Sequence, residues 1–261
     1  MSNAEVVVLI DKQDGIATVT LNRPEKLNAL NREMRKAFCQ AMQELRSDPE
    51  VRVVIITGAG RAFCVGLDLR ELGTSQGGIR DEGKVSFISV IDDMEVPVIA
   101  AVNGFSITGG FELALACDLI VAAETAQFAD THARVGVMPG GGMSARLPRA
   151  VGIRKAKELS LTGNYLSARE AERMGLVNHV VRANELMATA RELARQIAGA
   201  NQKIVRQMKQ LYERTTRTSL QEALQIEQEA FSAFNRAADL GELGGARESV
   251  MQRGRAQAAK N

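Results

Sequence analysis

Hydrophobic positions in the first half of the chain predict β-strands that alternate with helices. Two β-rich runs, 6–10 and Ile16–Leu21, flank Asp14-Gly15, and an Asp-Gly pair between two apolar runs is a strong hairpin signal. Three further runs are short, apolar and continuous, as in strands that are buried in a parallel sheet. These runs are 53–57, Val98–Val102 and Leu119–Ala123.

Between these strands lie segments whose patterns are typical of helices. One apolar face repeats at helical spacing and follows Asn31, a candidate N-cap residue. This face consists of Met34, Phe38, Ala41 and Leu45. The segments 81–94 and 110–117 are also compatible with helices. Strands that alternate with helices predict an α/β core with crossover connections.

After Ala183 the strand signal ends and helical faces follow one another. Their apolar positions are Leu186, Ala190, Leu193 and Ile197, then Ile204, Met208 and Leu211, with a third helix at 220–236. Because the sheet is already complete, we expect these helices to fold over the core and to pack against another subunit. The predicted division is a core of residues 1–195 and a helical oligomerisation region of residues 196–261.

Composition is that of an ordinary globular protein, with 45% hydrophobic and 25% charged residues. A net charge of +2 creates no strong positive electrostatic potential that would attract nucleic acid, so we expect no nucleic-acid partner. A local basic patch could still bind phosphates. The longest apolar runs are too short to cross a bilayer, and the N-terminus lacks a signal-peptide pattern. We therefore expect no membrane association and a cytoplasmic location.

Metal sites and disulfides are not expected. Cys39, Cys64 and Cys117 are scattered among apolar neighbours, which favours buried thiols. His132 and His179 are the two histidines of the chain, and they form no zinc-binding spacing.

The segment 103–118 (NGFSITGGFELALACD) carries the clearest chemical signal. Gly109-Gly110 opens a helix, so a ligand can approach the backbone closely and the first-turn N–H groups have no internal partner. Such donors and the positive end of the helix dipole suit a carbonyl oxygen that becomes negative during reaction. Glu112 in the same turn is either an acid–base group or a carboxylate that only complements the dipole.

The segment 61–70 (RAFCVGLDLR) has the same position relative to its own strand. A glycine-bearing turn follows an apolar run, and the N–H of Leu67, after Gly66, could be a second donor to the same oxygen. Glycine turns after strands are common, so this segment indicates a second donor only in combination with 103–118.

Five segments in a fixed order resemble the crotonase superfamily, also called the enoyl-CoA hydratase/isomerase family. They are LNRPEKLNAL (21–30), AFCVGLDL (62–69), NGFSITGGFELALACD (103–118), AQFADTHARVGVMPGGG (126–142) and GLVNHVV (175–181). The resemblance covers essentially the whole chain. It implies a ββα-spiral core with a C-terminal helical trimerisation region, assembled as a trimer or a dimer of trimers.

The resemblance also implies roles for individual residues at the reacting end of the substrate. The thioester carbonyl of an acyl-coenzyme A would lie between the N–H groups of Leu67 and Gly109. The first catalytic glutamate of the family matches Glu112. Coenzyme A is then part of the substrate, and no permanently bound cofactor is implied.

At the coenzyme end, basic residues match or replace family positions near the phosphates. Lys26, Arg61 and Arg70 are these cations, although each could instead be a solvated surface charge. Further positions implied to contact the acyl-coenzyme A are Leu27, Ala62, Gly66, Asp68, Leu69 and Gly110. Of these, Asp68 is expected to be structural or to contact the coenzyme rather than to be catalytic.

The chain departs from the two-glutamate hydratases at one position. Aligned without gaps from Ala126 to Pro139, His132 stands where the second glutamate is expected. Histidine exchanges protons near neutral pH, so His132 is either the partner of Glu112 in catalysis or a pocket residue that transfers no proton. Asp130 either orients the ring or is an ordinary loop residue.

Addition of water to a 2-enoyl thioester needs a base for the water and an acid for the α-carbon. Because Glu112 is kept, we expect a hydro-lyase rather than a double-bond isomerase. Other reactions of the superfamily, such as hydrolysis or carbon–carbon cleavage, stay open, as does a non-catalytic coenzyme A- or RNA-binding member. A serine hydrolase and a nucleotide enzyme are disfavoured because their sequence motifs are missing.

Overall fold

A computed structural model describes residues 6–72, 87–237 and 243–258 of the chain. The chain divides into two compact units, Met1–Arg206 and Gln207–Asn261. The first unit contains every strand of the described structure, and the second consists of helices in its described part.

The strands number ten within the described residues. They are β1 Val8–Gln13, β2 Ile16–Leu21, β3 Val53–Gly58, β4 Ala62–Cys64, β5 Val98–Val102, β6 Phe105–Ile107, β7 Leu119–Ala123, β8 Gln127–Ala129, β9 Leu166–Ser167 and β10 His179–Val181.

The described α-helices are α1 Arg32–Ser47, α2 Leu69–Leu72, α3 Ser89–Asp92, α4 Gly109–Ala116, α5 His132–Val135, α6 Met143–Val151, α7 Ile153–Thr162, α8 Ala168–Arg173, α9 Leu186–Ala198, α10 Gln202–Thr215, α11 Leu220–Ala237 and α12 Leu243–Ala258. Two 3₁₀ turns, Pro24–Lys26 and Ala183–Glu185, complete the structure.

The hairpin predicted at the start of the chain is confirmed. Asp14 and Gly15 both have positive φ angles, 53° and 77°, as a two-residue type I′ turn requires. The first strand runs over 8–13 rather than 6–10, because its pairing with β2 begins directly at this turn. Asn31 caps α1 by accepting a hydrogen bond from the N–H of Met34, also as predicted.

The main sheet has six strands in the order β1-β2-β3-β5-β7-β10, and all pairs except β1–β2 are parallel. Both faces of its centre are covered. Val54 and Ile56 pack in a cluster with Phe38 of α1, whereas Ile55 packs in a second cluster with Ala190 of α9. Burial on both faces explains why these strands show continuous apolar runs instead of alternation.

A second sheet has four short strands in the order β4-β6-β8-β9. Each of β3, β5 and β7 is followed by a strand of this smaller sheet and then by a helix. This repeat is the ββα spiral that the resemblance implies. The periodicity of the residues alone did not reveal the small sheet, because strands of two or three residues are too short to show alternation.

Helix boundaries agree with the predictions to within a few residues. The helix predicted at 110–117 is α4, one residue earlier, and the helix at 220–236 is α11. Of the segment 81–94, residues 81–86 lie outside the described residues, and helix α3 covers 89–92. Within the described part of the chain, no helix combines the length and apolar composition needed to cross a membrane.

Large apolar side chains on the last three helices are exposed in the single chain. They are Met208, Tyr212, Leu220, Leu224, Phe231, Val250 and Met251. The boundary drawn at residue 195 and the oligomerisation role of 196–261 stay predictions.

The start of α4 tolerates no side chain at Gly110. A Cβ added there would lie 1.9 Å from the carbonyl oxygen of Cys64, whereas a Cβ at Gly254 in α12 would meet no atom within 4 Å. We expect Gly110→Ala to lower the free energy of unfolding by about 3 kcal/mol or more. The control Gly254→Ala should change it by less than about 1 kcal/mol, in the stabilising direction.

Urea unfolding followed by far-UV circular dichroism measures both changes. Equal midpoints for Gly110→Ala and the wild type would contradict the close approach of α4 to β4.

Candidate active site

Two glycine-bearing loops meet at the start of α4. Gly66 has φ +86°, and a Cβ added to it would lie 3.0 Å from the backbone nitrogen of Gly109. A Cβ at Gly109 would in turn be 3.3 Å from the Cα of Gly66. The structure therefore brings together the segments 61–70 and 103–118, as the sequence predicted.

The backbone directs two N–H groups away from their own elements. The carbonyl of Gly66 accepts from the N–H of Leu30 at 2.8 Å, so the N–H of Leu67, on the other side of the same trans peptide, points away from Leu30. The N–H of Gly109 belongs to the first turn of α4, where no intrahelical acceptor exists. Neither N–H has a hydrogen-bond partner within the residues that the structure describes.

Thr108 holds Gly109 in place through an unusual backbone conformation. Its φ of 52° and ψ of −110° are unfavourable for a residue with a β-branched side chain. The N–H of Thr108 donates to the carbonyl of Ala129 at 2.8 Å, and its hydroxyl is hydrogen-bonded to that of Thr131. These bonds tie the start of α4 to the segment that precedes His132.

The carboxylate of Glu112 is buried, with 3% of the residue exposed, and is anchored on one side. Its Oε1 accepts from the N–H of Gly141 at 2.8 Å and from that of Met143 at 3.2 Å. A Cβ at Gly141 would lie 2.7 Å from Oε2, so only glycine allows this approach. The sequence analysis missed both donors, although the glycine run 140–142 was a usable signal.

His132 lies beside Glu112 and is 7% exposed. Its Nε2 is 3.9 Å from Oε2 of Glu112, and its Nδ1 is 2.6 Å from Oδ1 of Asp130. Asp130 is 2% exposed, so all three side chains are withdrawn from solvent. His179, in contrast, is an exposed residue at the start of β10.

The ionised form of Asp130 is favoured by its hydrogen bonds. Burial by itself would raise the pKa of this carboxyl group, but hydrogen bonds from the side chains of His132 and Ser160 and from the N–H of His132 outweigh it. The pKa of Asp130 is therefore lowered from its ordinary value, and the group is a carboxylate at neutral pH.

The predicted coenzyme-binding cations are Lys26 in the 3₁₀ turn Pro24–Lys26, Arg61 directly before β4 and Arg70 in α2. Asn28, which is fully buried, donates to the carbonyls of Ala59 and Ala62 and so links the loop of Lys26 to that of Arg61. The exposed residues among those predicted to contact the substrate are Lys26, Arg61, Leu69 and Arg70. Ala62, Gly66 and Gly110 are buried, and Asp68 is partly buried. Leu27 adopts a left-handed backbone conformation.

Asp68 has a structural partner. Its Oδ2 accepts from Arg23 at 3.2 Å, and its Oδ1 accepts from the N–H of Arg70 at 3.3 Å. Both contacts agree with the expectation that Asp68 is not catalytic. The sequence analysis missed Arg23 and Asn28, whose side chains fix this loop.

Cys64 lies directly beneath the two glycine loops. Its Sγ accepts a weak hydrogen bond from the N–H of Gly66 at 3.5 Å, and its side chain is fully buried. Burial raises the pKa of the Cys64 thiol to about 12.

Comparison with known proteins identifies the family. The family described as enoyl-CoA hydratase/isomerase matches residues 11–248. A relative from Arabidopsis thaliana named "Probable enoyl-CoA hydratase 1, peroxisomal" is 40% identical over 232 residues, 88% of each chain. The chain therefore belongs to the enoyl-CoA hydratase/isomerase family.

Solved structures agree with this assignment. An enoyl-CoA hydratase from Mycobacterium tuberculosis is 45% identical, with a TM-score of 0.73 and coverage of 89% of this chain and all of that one. An enoyl-CoA hydratase from Bacillus anthracis is 33% identical, with a TM-score of 0.83 and coverage of 94% and 96%.

The lowered pKa of Asp130 predicts how one part of the stability depends on pH. A carboxyl whose pKa is lower in the folded state stabilises the protein fully above its unfolded-state pKa, about 4, and loses this contribution as the pH falls through the folded-state pKa. Asp130→Asn should therefore be less stable than the wild type by about 1–2 kcal/mol at pH 7, with a smaller difference near pH 3.

Urea unfolding at a series of pH values, followed by circular dichroism, tests this expectation. A difference that grows as the pH falls would show that the charge of Asp130 does not stabilise the fold.

Proposed function

We propose that this protein is a hydro-lyase that adds water to a 2-enoyl-coenzyme A thioester and removes it in the reverse reaction. One observation carries the proposal. Oε2 of Glu112 and Nε2 of His132 face each other at 3.9 Å and are both buried, and Glu112 lies one turn after Gly109, whose N–H has no partner among the described residues.

The two N–H groups would stabilise the charge that forms on the substrate. In this proposal the thioester oxygen accepts from Leu67 and Gly109 and becomes an enolate oxygen when the double bond is attacked. Donors that are fixed before the reaction lower its barrier because they need no reorganisation. The strained Thr108 and its two hydrogen bonds support a fixed position for Gly109.

Glu112 and His132 would handle the protons. A separation of 3.9 Å exceeds a direct hydrogen bond, but one water molecule can reach both atoms. The water oxygen forms a bond to the β-carbon, one O–H bond breaks, and the α-carbon gains a proton. Net addition of one water therefore needs a proton to be accepted and a proton to be donated, and this pair can hold the water for both steps.

A double-bond isomerase is the second candidate within the family. Isomerisation moves one proton between two carbons and needs no bound water, so one acid–base group is sufficient. A position between Glu112 and His132 that can hold one water molecule favours hydration. The non-catalytic alternative is disfavoured because two backbone N–H groups hold Glu112 in a buried site, which a binding protein would not need.

Coenzyme A enters as part of the substrate, and Lys26, Arg61 and Arg70 are proposed to bind its phosphates. The exposure of all three side chains supports this. We also propose a homo-oligomer, a trimer or a dimer of trimers, because the apolar side chains of α10, α11 and α12 are uncovered in the single chain. A cytoplasmic location stays a prediction.

Loss of the conjugated-thioester absorbance of crotonyl-CoA tests the reaction directly. We expect Glu112→Gln and His132→Ala each to reduce kcat by about 10²- to 10⁴-fold, the range for one acid–base group. His179→Ala, which changes the exposed histidine, is the matched control and should retain wild-type turnover.

Dependence on Glu112 alone would make His132 a pocket residue. Absence of any turnover by the wild type, with coenzyme A binding retained in calorimetry, would exclude the hydratase and direct the search to other thioester reactions.

A backbone change tests the oxyanion donor separately. Gly109→Pro removes the N–H at the first position of α4, a position at which helices accept proline. Because a following proline disfavours the ψ of −110° at Thr108, only a variant that folds tests the donor. Because one such donor contributes about 3 kcal/mol, kcat should fall by about 100-fold or more while circular dichroism shows a folded protein. Wild-type turnover in this variant would rule out Gly109 as a donor.

A further inference from the structure

Asp130 makes contacts with His132 that determine which ring nitrogen carries the proton. Its Oδ1 is 2.6 Å from Nδ1 of the ring and 3.2 Å from the backbone nitrogen of the same histidine. An ionised carboxylate only accepts hydrogen bonds, so Nδ1 must be the donor. In the neutral ring the proton is therefore on Nδ1, and Nε2 carries a lone pair.

This tautomer defines what fits between His132 and Glu112. Nε2 and the carboxylate Oε2 are then both acceptors, 3.9 Å apart. Two acceptors at this distance do not bond to each other, and they share only a molecule that donates twice. A water molecule has two O–H groups and meets this requirement, whereas a carbon-bound proton or a single hydroxyl does not.

We propose that Asp130 is a positioning residue that keeps His132 in the Nδ1–H tautomer, so that Nε2 takes the proton of the attacking water. This inference rests on the proposed hydratase function and assigns the first proton transfer within it.

The proton then follows a balanced route. As the water oxygen bonds to the β-carbon, one O–H bond breaks and its proton moves to Nε2, which gives an imidazolium ring. The ring passes the same proton to the α-carbon and returns to its neutral form. Glu112 stays ionised, accepts the second O–H of the water and faces the cationic ring, which Asp130 stabilises from the other side.

The surroundings of Asp130 fit this role. The residue is 2% exposed, and its hydrogen bond with Ser160 of α7 keeps the carboxylate oriented independently of the ring. Among the described residues, Glu112 and Asp130 are the carboxylates within 4 Å of the His132 ring nitrogens. Asp130 is thus the group that can decide between the two tautomers in favour of an Nε2 lone pair.

Nitrogen NMR of ¹⁵N-histidine-labelled protein reads the tautomer without any substrate. The chain has two histidines, and His179→Gln leaves His132 as the single signal. We expect Nδ1 to be of the protonated type and Nε2 of the unprotonated type in the neutral ring. A wild-type ring protonated at Nε2 would overturn the proposal.

Two variants at position 130 separate tautomer control from a structural role. Asp130→Ala removes the acceptor, so the ring proton should move to Nε2, towards Glu112, and kcat should fall by about 100-fold with KM changed less than about threefold. Asp130→Asn should keep the tautomer, because the oxygen that accepts the N–H of His132 also faces Nδ1. Its kcat should lie between those of the wild type and Asp130→Ala.

Ser160→Ala is the control on the far side of Asp130. It should keep the Nδ1–H tautomer and lose less than about tenfold in kcat, since a neutral hydrogen bond contributes only about 1 kcal/mol. An unchanged tautomer in Asp130→Ala, or a kcat within about threefold of the wild type, would overturn the proposal.

Hydratase activity and tautomer control are separately testable. A wild type that does not hydrate crotonyl-CoA removes the proposed function and, with it, this proton route, whatever the tautomer. A wild type that hydrates crotonyl-CoA with the proton on Nε2 removes the role of Asp130 alone.

Discussion

The burial of one carboxylate constrains most of the site. An ionised Glu112 that is 3% exposed would be strongly destabilising without hydrogen bonds, and the N–H groups of Gly141 and Met143 provide them. A Cβ at residue 141 would lie 2.7 Å from Oε2, so glycine at this position permits the approach. The buried carboxylate thus joins α4 to the segment 141–143.

An imidazole at position 132 faces Glu112, and its electrostatics differ from those of a second carboxylate. Two ionised carboxylates that face one position repel each other, so such a pair tends to retain one shared proton. Glu112 and a neutral His132 do not repel each other. In the proposed mechanism the histidine provides acid–base capacity and makes it dependent on the hydrogen bond to Asp130.

Long elements of the fold and the reacting segments were predictable from the sequence, because apolar periodicity and glycine pairs are local signals. The capped helix α1 and the strands Val98–Val102 and Leu119–Ala123 are examples. The small sheet was not predictable from periodicity, since its strands have two or three residues. The contacts of Glu112 with Gly141 were not predictable either, because they join residues 29 positions apart in the chain.

Thr108 and Asn28 show the same limit at single residues. Nothing local marks Thr108 as a residue with positive φ, and its conformation is imposed by bonds to Ala129 and Thr131. From the sequence alone, Asn28 is an ordinary polar loop residue. In the structure it is fully buried and joins two loops through its hydrogen bonds. Contacts with residues distant in the sequence determine both conformations, and such contacts cannot be inferred from a single sequence.

The high pKa of Cys64 protects this thiol from alkylation. A conjugated thioester is an electrophile that thiolates attack readily, and the thiolate is the reactive form of cysteine. With its pKa raised to about 12 and no exposed surface, Cys64 stays protonated and out of reach although it lies directly under the two glycine loops. A catalyst that handles such compounds at this position is thereby protected from self-inactivation by alkylation.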